Sequence, residues 1–506
     1  MAGAAAQPGP SDASGSWTVY HGDLSGDGAS ASVSSVDLGA RAWTSPSLDG
    51  QVYGEPLAWN GHVYVASEND TVYELAAATG TVVWSAHLGT PVPSSALPCG
   101  DISPTVGITG TPVVDPARSE VFVVADELVG QRPAHELVGL DAATGKVELT
   151  QDVDPAGSTT AALLQRTGLT LDANRVVFGF GGNYGDCSSY HGWVVSVPET
   201  GGAAETFAVD SGGGESQGAI WMGGAAPVVD ASGNIWVEAG NGSVTSSSGP
   251  YDNSDSVLEL SPALALLQYF APSTWASDNA RDLDLSAAPA LLSDGEVVAG
   301  SKGGPAYLLD GTHLGGIGGE QSSLPKACAQ DIDGGPAIVG TTVYLPCLSG
   351  PVAVQVSSDP AALRLLWQAA AGGGPPIVAA GLVWSIGQDG VLYGLSPTTG
   401  AVVEQAGVGV PANHFPTPSI GDGLLLAPSA TGVVAFHAST NGATSGTTTS
   451  SVPATSTTSR ATSSTTSPPA GGIPAAVIVA IVLGALAVAG GVVWLWRRER
   501  ARRAAR

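Results

Sequence analysis

Short apolar runs, each too brief for a helix and bounded by Gly, Pro, Asn or Asp, recur along most of the chain. Runs of four to eight such residues between turn formers read as strands. The clearest unit begins at Gly61 with GHVYVASENDTVYELAAATGTVVWS: a strand, an Asn-Asp turn, a strand, a Thr-Gly turn, and a third strand ending in Trp84. The same grammar returns at GLVWSIGQDGVLYGLSPTTGAVVE, from Gly381 to Glu404, and more loosely at SEVFVVAD with HELVGLDAATGKVEL.

A further strand, led by Pro or a small residue, precedes each copy. Such leaders occur at Pro56, Pro112, Leu169, Pro227, Pro289, Pro336, Pro376 and Pro418, which makes eight. Their spacing, roughly 40 to 60 residues, is the period of four-stranded propeller blades. The pattern predicts an all-β fold, an eight-bladed β-propeller over residues 17–437. The last copy stops at TGVVAFHAS without an outer strand, while ASVSSVDLGARAWTSPS near the start supplies a strand ending in Trp43. That strand is expected to complete blade eight, because closing the ring removes sheet edges that invite aggregation. The repeated Trp and Gly residues are expected to pack blades and form turns.

Beyond residue 437 the pattern changes. Residues 438–472 are mostly Ser, Thr, Pro, Gly and Ala, too polar to bury a core, and predict a disordered stalk. From Ile473 to Trp496 no residue is charged. At ~1.5 Å per residue such a stretch crosses an apolar core of ~30 Å as one transmembrane helix. Trp494 and Trp496 stand where interfacial aromatics belong, and the basic tail 497–506 follows at once. By the positive-inside rule the tail is cytoplasmic and the propeller extracellular, a single-pass arrangement in the cell membrane. Residues 1–16 are expected to be disordered. The opening MAGAAAQPGP has neither a basic region nor an apolar one, so the export signal that an extracellular head requires is expected upstream of a truncated or misassigned start.

Composition agrees with the strand reading: 70 Gly, 35 Pro, and only 12% charged residues against 43% apolar. The net charge is -27, although six of the 17 basic residues lie in the last ten positions. So acidic a head repels phosphate backbones and excludes nucleic acid as a partner. Cys99, Cys187, Cys328 and Cys347 show no CxxC spacing and no clustered His, which argues against zinc. Disulfides outside the cytoplasm fit better, and pairing within the same or neighbouring repeats favours Cys99 with Cys187 and Cys328 with Cys347. No GxSxG, HExxH, Walker or EF-hand pattern occurs. The two aspartates of GDLSGDG, at Gly22, read as a solvated turn rather than a calcium loop.

The unit VYELAAATGTVVW, Val72 to Trp84, resembles the repeat of quinoprotein-type propellers, and the likeness extends over nearly all of 17–437, from WTVYHGDLSGDG onward. That family holds both pyrroloquinoline quinone dehydrogenases and non-catalytic scaffolds. The strings CGDISPTVGITGTP, GDCSSYHGWVV and YFAPS with DLDL most resemble membrane-anchored bacterial members, and place His191 and Trp193 near the mouth of the ring. The stretch GGGESQGAIWMGGAAPVVDASGNIWVEAGNG is similar to the dehydrogenase segment in which a Trp packs on the quinone and an Asn binds calcium. The resemblance assigns those roles to Trp221 and Asn241. Likewise ARDLDLSAAPALL implies Asp282 as general base and calcium neighbour, ahead of Asp284, and SKGGPAYLLDG puts Lys302 against the quinone carbonyls.

A carboxylate that takes an alcohol proton, beside cations that polarise a quinone, is coherent chemistry. Three departures weigh against it. The adjacent-cysteine pair is replaced by Cys99 alone, the calcium-binding Glu of the third blade has only Asp186 near its place, and the long capping insertions are missing. The balance favours a binding or protein-interaction scaffold with an envelope protein or polysaccharide as partner. The alternative is a quinone- and Ca²⁺-dependent dehydrogenase of alcohols or sugars.

Overall fold

All eight leader segments become the innermost strands of separate sheets: Leu57–Trp59, Val113–Asp115, Thr170–Asp172, Val228–Val229, Ala290–Leu291, Ala337–Val339, Ile377–Ala379 and Ser419–Gly421. These open blades 1 to 8 of a computed structural model that describes residues 15–210, 212 and 214–440. Proline suits the start of such a strand, whose inner edge has no sheet partner for a missing N–H. Blade 1 continues antiparallel through His62–Ser67, Thr71–Ala76 and Val82–His87, with Ala58 opposite Val63, Val65 opposite Tyr73 and Glu74 opposite Trp84.

Burial explains the sequence pattern. The two middle strands of blade 1 are buried almost throughout, since blades cover both their faces, whereas Val82–His87 alternates exposed and half-buried residues. Middle strands therefore read as unbroken apolar runs and outer strands as mixed ones.

The Thr-Gly turns and the outer-strand tryptophans are one device, although Trp84 stands within its strand, Val82–His87, and does not end it. Trp43, Trp84 and Trp367 each donate their indole N–H to a carbonyl in the next blade: Ala77 at 2.7 Å, Ala142 at 3.0 Å and Pro397 at 2.9 Å. Each ring lies on the turn glycine of that blade. A Cβ on Gly80, Gly145 or Gly400 would stand 2.4–2.5 Å from the ring, and all three have φ near +68°. Only glycine meets both demands.

The ring closes as expected. The strand Val33–Thr44, with Trp43 near its end, pairs antiparallel with Gly432–Thr440 and is the outer strand of blade 8. Three residues assigned to the stalk, 438–440, prolong this strand, so the head extends to Thr440. The remaining stalk, the apolar segment 473–496 and the tail 497–506 lie outside the described residues. Among the described residues no helix is long and apolar enough to cross a membrane. The expected disulfides, Cys99 with Cys187 and Cys328 with Cys347, are formed.

One segment departs from the sequence reading. Gly15–Ser30, expected as a disordered end and a solvated Asp-Gly turn, bonds to the free edges of the innermost strands. Backbone N–H groups of Ala58, Val114, Val229, Ile338, Val378 and Asp422 donate to carbonyls of Trp17, Thr18, Leu24, Asp27, Gly28 and Gly15 at 2.8–2.9 Å. Those donors come from blades 1, 2, 4, 6, 7 and 8, so the segment lies inside the ring. Buried Glu55 fastens it, accepting from the Trp17 indole at 3.0 Å and the His21 N–H at 2.9 Å. The GDLSGDG aspartates are thus half-buried against the channel wall and not free in solvent.

Because every blade runs from its innermost strand outward, its loops sort into two sets. Turns between first and second and between third and fourth strands share one face, the turn face. Turns between second and third strands, and the connectors between blades, share the other, the connector face. The segment Gly15–Ser30 occupies the channel beneath the connector face, and Thr440 ends a third strand, hence at the turn face.

Candidate functional site

The residues to which the resemblance gives a site or a place at the mouth of the ring fall on the connector face or at its edge. Trp221, Asp282 and Asp284 lie in connectors, and Asp186, His191, Asn241 and Lys302 in turns between second and third strands. Both disulfides join a connector to such a turn.

At the centre stands Lys302. Its ammonium is 2.6 Å from Asp284 Oδ2 and 3.2 Å from Asp282 Oδ1, and 5.5 Å from the centroid of the Trp221 ring. The two aspartates differ sharply. Asp284 has no side-chain exposure, whereas Asp282, held at φ 58°, is 68% exposed. Burial raises the Asp284 pKa to about 7 against the pull of Lys302. Burial likewise works to lower Lys302, but Asp284, Asp282 and Asp333 outweigh it and hold the ammonium above its ordinary range. The position that contacts the cation from inside is therefore Asp284.

Trp221 opens the short turn Met222–Gly224 and donates its indole N–H to Gly182 O at 2.8 Å. Gly181 permits this, since a Cβ there would lie 2.2 Å from the indole nitrogen. Asn241 is buried, and its Oδ1 has no hydrogen-bond partner among the described residues; Asp284 Oδ1 is in the same position. Asp186 accepts from the Tyr190 hydroxyl at 2.6 Å, and its pKa is raised by burial and Asp282 while Tyr190, Lys302 and Asn241 oppose the rise. Asp186, Asn241, Asp282, Asp284 and Lys302 thus share one electrostatic neighbourhood. His191 stands apart, its Nδ1 2.7 Å from buried Asp210, whose pKa burial raises to about 7, and its ring edge-on to Trp193 at 6.2 Å.

The sequence reading missed Arg166, which is buried in the connector before blade 3. Its guanidinium faces the Tyr53 ring at 5.9 Å and the Phe415 ring at 6.0 Å. The available signal was a basic residue inside the apolar run LLQRTGLTL. The buried carboxyl groups Asp70, Asp126 and Glu238 were also missed. Their signal was an acid within or directly beside a strand that is otherwise apolar.

The cofactors implied by the resemblance find only part of what they need. Asn241 Oδ1 and Asp284 Oδ1 are free, buried oxygens of the kind calcium takes, but calcium takes about six to eight. Among the described residues no group of three or more His, Cys, Asp or Glu is placed to hold a metal ion. The Trp221 ring, where a planar quinone would pack, has the Lys302 ammonium near it. The described side chains do not by themselves make the site that the pair requires, and no reaction step is derived through it.

Residues 29–249 match the family model described as outer membrane protein assembly factor BamB. No curated protein matches the chain. Among solved structures, quinohemoprotein alcohol dehydrogenase from Comamonas testosteroni is similar at 17% identity and TM-score 0.59, covering 85% of this chain and 81% of that one. A quinohemoprotein alcohol dehydrogenase from Pseudomonas putida is similar at 13% identity and TM-score 0.63, covering 84% and 80%. BamB from Moraxella catarrhalis is similar at 15% identity and TM-score 0.52, covering 78% and 98%. Such identities speak for the fold and not for an activity. With eight four-stranded blades and the tryptophan-glycine docks in hand, the chain has the eight-bladed β-propeller fold, and residues 29–249 fit the pyrroloquinoline-quinone-repeat pattern of that family model.

Proposed function

We propose that the protein is a membrane-anchored, extracellular propeller that works as a binding scaffold and presents its connector face to an envelope protein or polysaccharide. The observation that carries this reading is how the reactive groups are used. Lys302 is paired with Asp284 and Asp282, Asp186 with Tyr190, and His191 with Asp210. Groups so tied to one another form a fixed polar wall. The match to an assembly-factor family supports the reading. The disulfides suit an oxidising compartment, and the apolar stretch 473–496 with its arginine tail suits an anchor.

The test uses the full-length protein, titrated with pyrroloquinoline quinone and Ca²⁺ while quinone absorbance and dye reduction are followed across alcohols and sugars. No turnover is expected. Saturable binding with turnover that disappears in Asp284→Asn would overturn the scaffold reading in favour of the dehydrogenase. For the topology, a membrane-impermeant protease added to intact cells should remove the head, and full protection of the head would refute the extracellular placement.

A further inference from the structure

We infer that Arg166 makes the depth of the connector-face channel a binding site for a single carboxylate, borne by a small organic acid with a flat apolar body. The inference rests on reading the connector face as a ligand-binding surface.

Arg166 is only 9% exposed, yet among the described residues it makes no hydrogen bond and no ion pair. A guanidinium carries five N–H donors, and those of Arg166 meet no acceptor among the described residues yet are not sealed from solvent, so they stay open to an acceptor that arrives from outside. The contrast within the same face is direct, because Lys302 has two carboxylates in contact. Acids are not scarce nearby: Glu68 and Asp101 act on Arg166 through space, together with Tyr53 and Tyr20. None closes on it.

Its place is the ring axis. Tyr53 precedes blade 1, Arg166 blade 3, Gly224 blade 4 and Phe415 blade 8, and these four connectors meet only near the axis. Gly224, at φ +91°, lets the guanidinium lie against the backbone; a Cβ there would stand 2.2 Å from an Arg166 Nη. Tyr20 of the channel segment is buried on the inner side and lies within electrostatic reach of Arg166. A ligand reaches the cation from the connector face, past the exposed pair His414 and Asp101.

The chemistry of the walls selects the ligand. A guanidinium fork matches the two oxygens of a carboxylate, and the Tyr53 and Phe415 rings offer flat apolar contact beside it. One unpaired cation near Glu68 and Asp101 balances one negative charge and not two. A phosphate dianion is disfavoured for that reason, and the net charge of -27 disfavours multiply charged anions at longer range.

Calorimetric titration of the full-length protein with benzoate, phenyl phosphate and benzyl alcohol tests the site. Benzoate should bind saturably at one site, phenyl phosphate more weakly, and benzyl alcohol not measurably. Arg166→Gln should weaken benzoate at least about tenfold, and Arg166→Lys, which keeps the charge but loses the fork, by less. Without ligand, Arg166→Gln should melt no lower than the wild type, because it removes an unpaired buried charge. A marked fall in that melting temperature would assign Arg166 a structural role and overturn the inference. So would undiminished benzoate binding in Arg166→Gln, no benzoate binding to the wild type, or tighter binding of phenyl phosphate. Phe415→Ala, which leaves the cation in place, should also weaken benzoate while sparing acetate; equal loss of both would contradict the flat-walled site. Alcohol turnover would refute the scaffold reading and leave this site standing, whereas absence of Arg166-dependent carboxylate binding refutes the site alone.

Discussion

On the turn face, Trp43, Trp84 and Trp367 give their indole N–H to the neighbouring blade and lay their rings on Gly80, Gly145 and Gly400. On the connector face, Asp70, Asp126 and Asp284 are buried with carboxyl oxygens that form no hydrogen bond among the described residues, and Arg166, 9% exposed, faces the Tyr53 and Phe415 rings in place of a carboxylate. The same eight sheets carry both faces. One satisfies every polar atom of its repeated device, and the other leaves buried carboxyl groups without hydrogen-bond partners. The difference teaches where stability is made and where it is spent, since a fold departs from local consistency mainly where function asks for it.

The comparison breaks first if turn-face glycines prove replaceable. Gly80→Val drives a Cβ into the Trp43 ring at 2.4 Å and sets a branched residue at φ +68°. The expected loss is about 3–5 kcal/mol in denaturant unfolding of the full-length protein. On the connector face, Gly303→Ala meets only the flexible end of Leu283 at 3.2 Å and should cost about 1 kcal/mol through its φ of +81°. Equal losses at the two sites would erase the distinction.

The same contrast governs what a reader of the sequence can find. A Thr-Gly turn followed by a strand that carries Trp is written locally, so the blade count, the leader strands and the clasp that carries Trp43 follow from the repeat. Arg166 has neighbours from three other connectors, at Tyr53, Gly224 and Phe415, and no spacing rule links them. Asp282 and Asp284 sit in an irregular connector, where no strand period decides which one faces inward, and the left-handed backbone at Asp282 decides it. The channel segment was hidden for a related reason: its bonds are backbone bonds to six blades, and GDLSGDG carries only the mark of a turn.

If the connector face is strained by charge, its cross-links should matter more than ordinary loop ties. Replacing Cys99 and Cys187 by Ser frees a span of 88 residues, and replacing Cys328 and Cys347 one of 19. Chain entropy predicts losses of about 2–4 kcal/mol, larger for the longer span. Melting of the two double mutants, compared with the fully reduced wild type, checks the order. Equal shifts would show that loop closure is not what these bridges contribute.

Acid should relieve the same strain. Burial, with Glu127, Asp126 and Glu68 beside it, pushes Asp70 up to about 9, and burial holds Glu68 and Asp126 near 7. Unfolded carboxyls release their protons near pH 4, so between about pH 4 and 9 the folded head retains protons that the unfolded chain has lost. Its stability therefore falls as pH rises through that window. Asp70→Asn should raise stability at pH 8 by about 1–3 kcal/mol, by less at pH 5, and flatten the profile. A mutant that is destabilised at pH 8 would mean that the Asp70 carboxylate is paired after all.

The smallest expected effect separates two aspartates that share one lysine. Asp282 reaches Lys302 at 3.2 Å from a side chain that is 68% exposed, and water screens such a pair. Asp282→Asn leaves the ammonium in contact with buried Asp284 at 2.6 Å and should change stability by no more than about 0.5 kcal/mol. Asp284→Asn removes the contact that holds the cation inside the wall, and the amide cannot take over its charge, so Lys302 is released toward solvent. Its lysine should then react faster with an amine-directed acylating reagent, read at Lys302 by peptide mass analysis, while the Asp282 variant reacts like the wild type. Should Asp282→Asn free the lysine and Asp284→Asn leave it protected, the outer aspartate would be the true partner, and the connector face would be an ordinary solvated surface and not a buried polar wall.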